Sequence, residues 1–349
     1  MIRKRIELKG RKKISLKQDE IFALFRRPGE SNYYLFRQTE KGSRQSFSKG
    51  NTGFLMHPFE SGGIHPDIFI SADIINKNPI IHFKPGFSKL PASTSESVYM
   101  DMVKSFIKTT KTGPKKLVLS RVLKVTNNEE DLFDTFQKMN NTYPTAFVYI
   151  VNHPHSGCWM GATPEQFIVG DQNEYSTVAL AGTKLNIEPF ASENWSSKDI
   201  EEQQLVCRHI ESILDVFETT YTKTGPTDQS AGKLLHIKTE YKFKKVSDLK
   251  KLADALHPTP AVCGLPKSMA LEVILNQEKH DRAYYTGYLG PVNFKSEIAL
   301  YVNLRCMKLS SESIVLFAGG GIIPQSVPNL EWNETEHKLQ TMMDILKSR

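Results

Sequence analysis

The first 90 residues contain five short apolar runs that are separated by turn residues and not by helices. These runs are IFALFR, NYYLFRQ, GFLMHPF, DIFISADII and PIIHF, between residues 21 and 83. Short apolar runs bounded by turn signals are typical of β-strands. Strands that follow one another without intervening helices favour an α+β fold over a sheet built from alternating βαβ units.

Helical patterns appear in clusters further along the chain. Apolar spacing and cap residues predict helices over residues 97–108, 130–139, 196–218, 248–256, 267–277 and 329–346. Apolar runs predict further strands over residues 113–125, 146–152, 158–162, 166–170, 176–182, 283–292, 298–309 and 313–320. Loop-forming residues at 186–197 and 222–232 predict loops. No internal repeat or clean linker is visible, so we expect one large domain over residues 1–349.

The composition is that of a water-soluble globular protein, with 39% apolar and 24% charged residues among 349. No apolar run is long enough for a membrane helix, and the charged N-terminus lacks the apolar segment of a signal peptide. We therefore expect no membrane association and a cytoplasmic location. The four cysteines are far apart in sequence, which argues against a zinc site or a disulfide framework.

The formal net charge of +7 is open to three interpretations. A basic surface for nucleic acid is one, and its residues would be Arg3, Lys4, Arg5, Arg11, Lys12 and Lys13. A general field that attracts a small anionic substrate is another. Solvated lysines without a partner are the third. We see no stripe of Lys and Arg residues interleaved with aromatic ones beyond the first turn of the chain, so we expect no nucleic-acid partner.

Two acidic residues extend the apolar stripe of the predicted helix at 196–218. The stripe consists of Val206, Ile210, Ile213, Leu214 and Phe217. Glu202 and Asp199 lie four and seven residues before Val206, on the face that points into the protein. Ser196 with Asp199 fits a capping box, which explains Asp199 structurally but does not explain Glu202. A carboxylate on a buried face needs a partner.

The last predicted helix has the same arrangement. Glu331 and Glu334 precede an apolar stripe of Leu339, Met342, Met343 and Leu346. A favourable helix dipole, or an ion pair between Glu334 and Lys338, would explain these acids without a ligand. Two helix starts with the same acidic spacing instead suggest a shared cation. Ligands that are all oxygen atoms favour Mg²⁺.

A glycine run and an arginine form a candidate anion site. Gly319, Gly320 and Gly321 follow an apolar run, where backbone N–H groups would be free to approach an anion, although such runs are often simple turns. Arg305 is expected inside the strand at 298–309, facing the same side as Tyr301 and Asn303. It would be either a carboxylate clamp or an edge charge. Together with Mg²⁺, these groups suit a small polycarboxylate.

Lys116 and Glu165 are candidates for a base and an acid. Lys116 opens the apolar run KLVLSR, where loss of water would favour a neutral amine. Glu165 follows a Thr-Pro turn and precedes an apolar strand, where burial would raise the pKa of its carboxyl and keep it protonated. The structural alternatives are a lysine that reaches solvent from the strand end and an exposed acid in a turn.

Ten motifs between residues 115 and 346 resemble, in order, those of the chorismate-utilising enzymes. They are KLVLSR, GATPEQFIVG, TVALAGTK, SSKDIEEQQLV, LLHIKT, LHPTPAVCGLP, DRAYYTGYLG, LYVNLRCMKL, LFAGGGIIPQSVP and LEWNETEHKL. Before residue 115, only GFLMHPF is similar to the family. The resemblance implies an α+β fold in which two antiparallel sheets face each other inside outer helical layers.

The resemblance also implies a role for each candidate residue. Lys116 would activate water for attack at C2 of chorismate, and Glu165 would protonate the departing C4 hydroxyl. Glu202 and Glu334 would bind Mg²⁺ directly, while Asp199 and Glu331 would act through water. The substrate would be held by Gly182, Thr183, His236, Ala261, Tyr285, Arg305, Gly319, Gly320, Gly321 and Lys338. Residues 257–261 would form a pocket wall, and Asp281 and Arg282 would brace the following strand against it.

The residues in these motifs favour the isochorismate synthase branch of the family. Ammonia-using relatives usually have Gln at the position of Lys116 and recruit a glutamine amidotransferase, so we expect no such subunit and a monomer. Salicylate synthases share the lysine and then eliminate pyruvate, but they tend to have Thr where this chain has Ala261. Salicylate synthesis remains the alternative activity, and a basic RNA-binding protein without catalysis is the alternative from another class.

Overall fold

The structure is a computed structural model that describes residues 12–39, 50–128, 131–171, 173–231, 234–244 and 246–347. Of the basic N-terminal cluster, only Lys12 and Lys13 fall in these ranges. Arg3, Lys4, Arg5 and Arg11 lie outside the described residues, so a nucleic-acid surface there is not tested.

The described residues form six α-helices and nineteen strands. The helices are α1 (Glu96–Thr112), α2 (Leu132–Thr142), α3 (Ser197–Val216), α4 (Leu249–Leu256), α5 (Lys267–Gln277) and α6 (Pro328–Lys347). The first ten strands are β1 (Lys13–Ser15), β2 (Ile21–Arg26), β3 (Tyr33–Gln38), β4 (Gly53–His57), β5 (Ile68–Ser71), β6 (Ile74–Lys77), β7 (Ile80–His82), β8 (Lys116–Thr126), β9 (Phe147–His153) and β10 (Gly157–Thr163). The remaining strands are β11 (Gln166–Gly170), β12 (Glu174–Leu185), β13 (Tyr221–Ala231), β14 (Leu234–Lys244), β15 (Gly264–Leu265), β16 (Tyr288–Val292), β17 (Ile298–Val302), β18 (Cys306–Leu309) and β19 (Ser313–Ile322).

Two large antiparallel sheets make up most of the fold. The nine-stranded sheet has the order β15-β8-β19-β18-β10-β9-β2-β3-β6, and the eight-stranded sheet has the order β13-β14-β12-β11-β17-β16-β4-β5. A separate parallel pair joins β1 and β7. The inner faces of the two sheets share a core, in which the rings of Phe147 and Tyr301 stack with centroids 4.4 Å apart. The predicted pair of facing sheets is confirmed.

Helices cover the outer faces of both sheets. Helices α2 and α6 pack on the nine-stranded sheet, and α3 and α4 pack on the eight-stranded sheet. Helices α1 and α5 pack against β8 and the end of β19. The α+β class and the outer helical layers are thereby confirmed, whereas the single domain over residues 1–349 stays a prediction.

The cysteines form no disulfide bonds. All four cysteines are free and buried. No helix in the described part of the chain has both the length and the apolar character needed to cross a bilayer.

The loop predicted at residues 222–232 is wrong. Those residues that are described belong to β13, which pairs with β14 at the edge of the eight-stranded sheet. The Gly225-Pro226 pair marks a shift of register between Thr224 and Thr227. Proline cannot donate a backbone hydrogen bond, but an edge strand with a bulge tolerates it.

The strand predicted at residues 298–309 is divided between the two sheets. β17 belongs to the eight-stranded sheet and β18 to the nine-stranded sheet, and the chain crosses between them at residues 303–305. Arg305 lies in this crossing with a φ of 47°, so its predicted place inside a strand is wrong. The strand predicted at 283–292 begins only at Tyr288, because a turn with left-handed residues Ala283 and Thr286 precedes it.

Candidate active site

A cavity of about 590 Å³ lies where the two sheets meet the first turns of α3 and α6. Fourteen of the sixteen predicted site residues line it: Lys116, Glu165, Gly182, Asp199, Glu202, His236, Ala261, Tyr285, Arg305, Gly319, Gly321, Glu331, Glu334 and Lys338. Gly320 is not among the lining residues. Thr183 lies in β12, and its side chain is outside the described residues. The structure therefore brings the predicted residues together, while their roles stay predictions.

Lys116 is the first residue of β8 and is held by an acid from α3. Its side chain is 10% exposed, and Nζ donates a hydrogen bond to Glu202 Oε1 at 2.5 Å. Space for the lysine comes from Gly321 on the neighbouring strand, where a Cβ atom would lie 3.1 Å from Lys116 Cε. The sequence left two positions open for Lys116, one shielded from water and one in solvent at the strand end. In the structure, the side chain points into the cavity.

Glu165 lies in the short connection between β10 and β11, where neighbouring strands fix its backbone. Its carbonyl oxygen accepts a hydrogen bond from the N–H of Val302 at 2.9 Å. Burial raises the pKa of Glu165 to about 7, and the positive charges of Lys116 and Lys338 oppose that rise only in part. Glu165 is therefore protonated in a large fraction of molecules near neutral pH, as a proton donor requires.

The acids of α3 begin with a capping interaction. Ser196 caps the helix, and its hydroxyl accepts a hydrogen bond from the N–H of Asp199 at 3.1 Å and donates one to the Asp199 carboxylate. The structural explanation for Asp199 is therefore correct, although the residue also lines the cavity. Glu202, one turn further on, points to Lys116.

The acids of α6 lie over the glycine run of β19. A Cβ atom on Gly320 would be 3.4 Å from Glu331 Oε2 and 3.6 Å from Glu334 Oε1, so both carboxylates lie within van der Waals contact of this strand position. Lys338 Nζ donates to Glu334 Oε1 at 2.6 Å, which is the ion pair expected from their spacing.

The donor set fits a divalent ion in its chemistry. Four carboxylates from two helix starts line one cavity, and Glu202 and Glu334 each pair with a lysine ammonium group. Within the described ranges, no three His, Cys, Asp or Glu side chains converge closely enough to hold a metal ion. The carboxylates of the two helices would therefore have to move toward each other to share one.

The glycine run is not the turn that the sequence suggested. Gly319, Gly320 and Gly321 lie inside β19 and pair with residues 118–120 of β8. Lys338 Nζ donates to the Gly319 carbonyl oxygen at 2.8 Å, so the lysine is anchored to the strand. The strand predicted at 313–320 already included Gly319 and Gly320, and it extends to Ile322. The prediction of a glycine run that follows the strand is wrong, because β8 pairs with the whole run.

Arg305, His236 and Tyr285 complete the polar lining. Arg305 donates to Thr341 Oγ1 at 3.1 Å from its position between the two sheets. His236 Nδ1 lies 3.0 Å from the Gly182 carbonyl oxygen, and burial lowers the pKa of its imidazole, so this ring is neutral near pH 7. The ring of Tyr285 stacks on Phe317, a lining residue that the sequence analysis missed although it directly precedes the glycine run.

Of the wall predicted at residues 257–261, Ala261 lines the cavity, together with the next residue, Val262, whereas residues 257–260 are not among the lining residues. Arg282 ties this wall to β8 by donating to the carbonyl oxygens of Val262 at 2.9 Å and Val118 at 2.7 Å. Its guanidinium also pairs with the buried Glu278 at 2.6 Å. Glu278 was not among the predicted residues, although its spacing of four residues from Arg282 was an available signal.

Residues 76–347 match the model of the chorismate binding enzyme family. This region covers most of the chain, and the chain belongs to that family.

Two curated relatives are similar in sequence. The vibriobactin-specific isochorismate synthase of Vibrio cholerae is 30% identical over 244 residues, and isochorismate synthase EntC of Escherichia coli is 31% identical over 241 residues. Each alignment covers 66% of this chain and 62% of the relative, so the chain matches less than two thirds of either protein.

Two solved structures share the fold. MenF, the menaquinone-specific isochorismate synthase from Escherichia coli, superposes with a TM-score of 0.79 at 17% identity, covering 95% of this chain and 90% of that one. Anthranilate synthase component I from Streptococcus pneumoniae superposes with a TM-score of 0.67 at 17% identity, covering 93% and 90%. At these identities, the superpositions establish the fold alone.

Proposed function

We propose that the protein is a Mg²⁺-dependent isochorismate synthase that converts chorismate to isochorismate. The observation that carries this proposal is that Lys116 and Glu165 line one cavity, with the pKa of Glu165 raised to about 7. To exchange one hydroxyl group for another, the site needs an amine that takes a proton and a protonated carboxyl that gives one. The names of the sequence relatives support the same activity.

In the proposed reaction, Lys116 takes a proton from a water molecule as that water attacks C2 of chorismate. The new C2–O bond forms, the ring double bonds shift, and the C4–O bond breaks. Glu165 gives its proton to the departing hydroxyl, which leaves as water. In its ion pair with Glu202, Lys116 is an ammonium group, so it must leave that pair and release one proton to solvent before its amine can accept a proton from the attacking water.

Glu202 and Glu334 are the proposed direct ligands of Mg²⁺, and Asp199 and Glu331 are proposed to act through water. A bound Mg²⁺ ion would neutralise substrate carboxylate charge. Support comes from the oxygen-only donor set on a single cavity and from the two lysines that already balance Glu202 and Glu334. Magnesium suits such sites because it keeps several waters and needs few protein carboxylates.

The remaining cavity residues are proposed to hold the substrate. Arg305 and Lys338 supply positive charge for its carboxylates, together with the backbone at residues 319–321. His236 and Tyr285 offer hydrogen bonds, while Gly182, Thr183 and Ala261 would leave room for the ring. We further propose a cytoplasmic monomer without a glutamine amidotransferase subunit, because Lys116 stands where ammonia-using members of the family usually carry Gln.

Proton NMR of the purified protein with chorismate and Mg²⁺ tests this function. We expect the signals of chorismate to be replaced by those of isochorismate until an equilibrium mixture is reached. Salicylate and pyruvate as main products would instead identify a salicylate synthase. No consumption of chorismate, together with RNA affinity that falls steeply with salt, would support the non-catalytic alternative.

A further inference from the structure

Ser61, His57 and Asp67 form a connected chain of hydrogen bonds away from the cavity described above. The Ser61 hydroxyl lies 2.9 Å from His57 Nε2, and His57 Nδ1 is hydrogen-bonded to the Asp67 carboxylate. An ionised carboxylate only accepts, so Nδ1 carries a proton, and in the neutral imidazole Nε2 then presents its lone pair to the serine. None of these three residues lines the cavity that contains Lys116 and Glu165.

The imidazole of His57 is held rigidly in this orientation. It lies on β4 with a side chain only 3% exposed, stacked on the ring of Tyr288 with centroids 4.5 Å apart. His257 packs against it edge-on at 4.9 Å. A base whose ring cannot rotate keeps its lone pair directed at one hydroxyl, which is the positioning that general-base catalysis needs.

Asp67 remains ionised in this setting. Burial acts to raise the pKa of its carboxyl, but the hydrogen bond from His57 and the charge of Lys250 together bring the pKa below its ordinary value. Lys250 Nζ lies 3.1 Å from Asp67 Oδ2 and also pairs with Asp254. The carboxylate is thus available at neutral pH to stabilise a protonated imidazole.

The loop that carries Ser61 is anchored, yet its outer side is open. His65 is hydrogen-bonded to Asp281, and the hydroxyl of Tyr284 donates to the Pro66 carbonyl oxygen at 2.8 Å. Ser61 itself is exposed, and a Cβ atom on the next residue, Gly62, would meet nothing within 4 Å. Ile64 on the same loop is 85% exposed and offers an apolar contact.

We propose that Ser61 is a nucleophile, activated by His57 and Asp67, which accepts acyl groups from small carboxylic esters at a second site of this protein. The arrangement is that of a serine-hydrolase triad in its hydrogen-bond order. Ser61 Oγ attacks the ester carbonyl while its proton moves to His57 Nε2. That proton then goes to the departing alcohol, leaving an acyl-serine. Water, deprotonated by the same nitrogen, releases the carboxylic acid and restores the serine.

The substrate class follows from the surroundings of the serine. The site is open to solvent and offers one apolar side chain, Ile64, so it suits short-chain esters without a long acyl group. It contains none of the cationic residues of the large cavity, so a polycarboxylate such as chorismate is not expected to react there. This activity is independent of the proposed isochorismate synthase activity.

A fluorophosphonate probe and p-nitrophenyl acetate test the proposal on the full-length protein. We expect the probe to label Ser61, located by mass spectrometry of peptides, and the acetate ester to be hydrolysed. Ser61→Ala should abolish the labelling and reduce hydrolysis by about 10²-fold, the usual scale of assistance by a positioned base. Asp67→Asn should slow both about tenfold or more, because the imidazolium loses its counter-charge.

Ser311→Ala is the matched control, since Ser311 is another exposed loop serine. It should leave labelling and ester hydrolysis unchanged. Thermal unfolding and chorismate turnover of Ser61→Ala should equal those of the wild type, which shows that the substitution acts locally. Labelling of Ser61 no faster than that of Ser311, or ester hydrolysis that survives Ser61→Ala, would overturn the proposal.

Discussion

Lys116 Nζ and Glu202 Oε1 lie 2.5 Å apart, although the two residues are separated by 86 positions in the chain. This ion pair joins the first residue of β8 to the first turns of α3 inside the cavity. It connects the proposed base to a proposed metal ligand, so a change at either residue should affect both functions.

Replacing Lys116 by Gln should reduce turnover of chorismate by about 10²–10⁴-fold, because the amide cannot accept a proton from water. Gln keeps much of the length of the side chain and can still donate to Glu202, so the unfolding temperature should change little. Lys115→Gln, at the exposed neighbouring position, should leave turnover unchanged. Wild-type turnover in Lys116→Gln would remove the lysine from the mechanism.

Turnover should depend on the protonation of Glu165. Because burial raises the pKa of this carboxyl to about 7, the proton donor is lost as the pH rises through that value, and kcat should fall on the alkaline side. Glu165→Gln cannot donate a proton and should lose at least about 10²-fold in kcat. A pH–rate profile of each protein checks both statements. They would be contradicted if Glu165→Gln showed the same fall in kcat at alkaline pH as the wild type.

Glu165 should also make stability depend on pH. Its pKa rises from 4.5 to about 7 on folding, so its contribution to the free energy of unfolding is fully present below pH 4.5 and lost as the pH rises through about 7. Relative to wild type, the free energy of unfolding of Glu165→Gln should therefore rise by about 2 kcal/mol between pH 4.5 and pH 8. One pKa unit corresponds to about 1.4 kcal/mol, and contact of the carboxyl with solvent reduces the total effect of the shift.

Urea unfolding of both proteins at several pH values measures this gain. Glu174→Gln is the control, since that glutamate is exposed at the start of β12 and should show no comparable trend. A difference between wild type and Glu165→Gln that stays constant from pH 4.5 to 8 would mean that the carboxyl is not perturbed.

Glu202→Gln and Glu334→Gln should each weaken Mg²⁺ binding. Mutation of one direct carboxylate ligand removes a charge and an oxygen donor, so we expect the Mg²⁺ concentration for half-maximal activity to rise about tenfold or more. Calorimetric titration with Mg²⁺ in the absence of substrate gives a readout that does not depend on turnover. Glu201→Gln, an exposed neighbour on α3, should bind as wild type does. Unchanged Mg²⁺ affinity in Glu334→Gln would exclude that residue from the ligand set.

Gly321→Ala should disturb the position of Lys116. The added Cβ atom would lie 3.1 Å from Lys116 Cε and 3.8 Å from Nζ, which is closer than the lysine stem can accept without moving. We expect kcat to fall about tenfold, since small displacements of a catalytic group reduce rates strongly, while KM changes less. Gly86→Ala is the control, because its Cβ atom would meet only the side chain of Gln18 at an ordinary 3.6 Å. Equal kcat in Gly321→Ala and wild type would contradict this steric account.

Local patterns predicted the elements whose ends are determined by nearby residues. Helix α5 begins at Lys267 and ends at Gln277, as the apolar spacing after a proline indicated. The start of α3 follows from the cap formed by Ser196 and Asp199. In both cases, the signal lies within one or two helical turns, so sequence alone was sufficient.

Elements determined by distant partners were predicted less well. β13 contains the loop-like Gly225-Pro226 pair but is a strand because β14 supplies its hydrogen bonds. Arg305 lies at a crossing between two sheets, which the apolar run on either side of it does not reveal. The motifs identified most cavity residues, but neither the ion pair of Lys116 with Glu202 nor the Ser61–His57–Asp67 chain has a signal in residue spacing.

Incubation of the protein with chorismate and Mg²⁺ in ¹⁸O-labelled water tests the central claim most directly. If Lys116 activates a water molecule for attack at C2, mass spectrometry and NMR should find one ¹⁸O atom in the C2 hydroxyl of isochorismate, and Lys116→Gln should form almost no labelled product. Isochorismate without ¹⁸O, or labelled product formed by Lys116→Gln at the wild-type rate, would contradict the account.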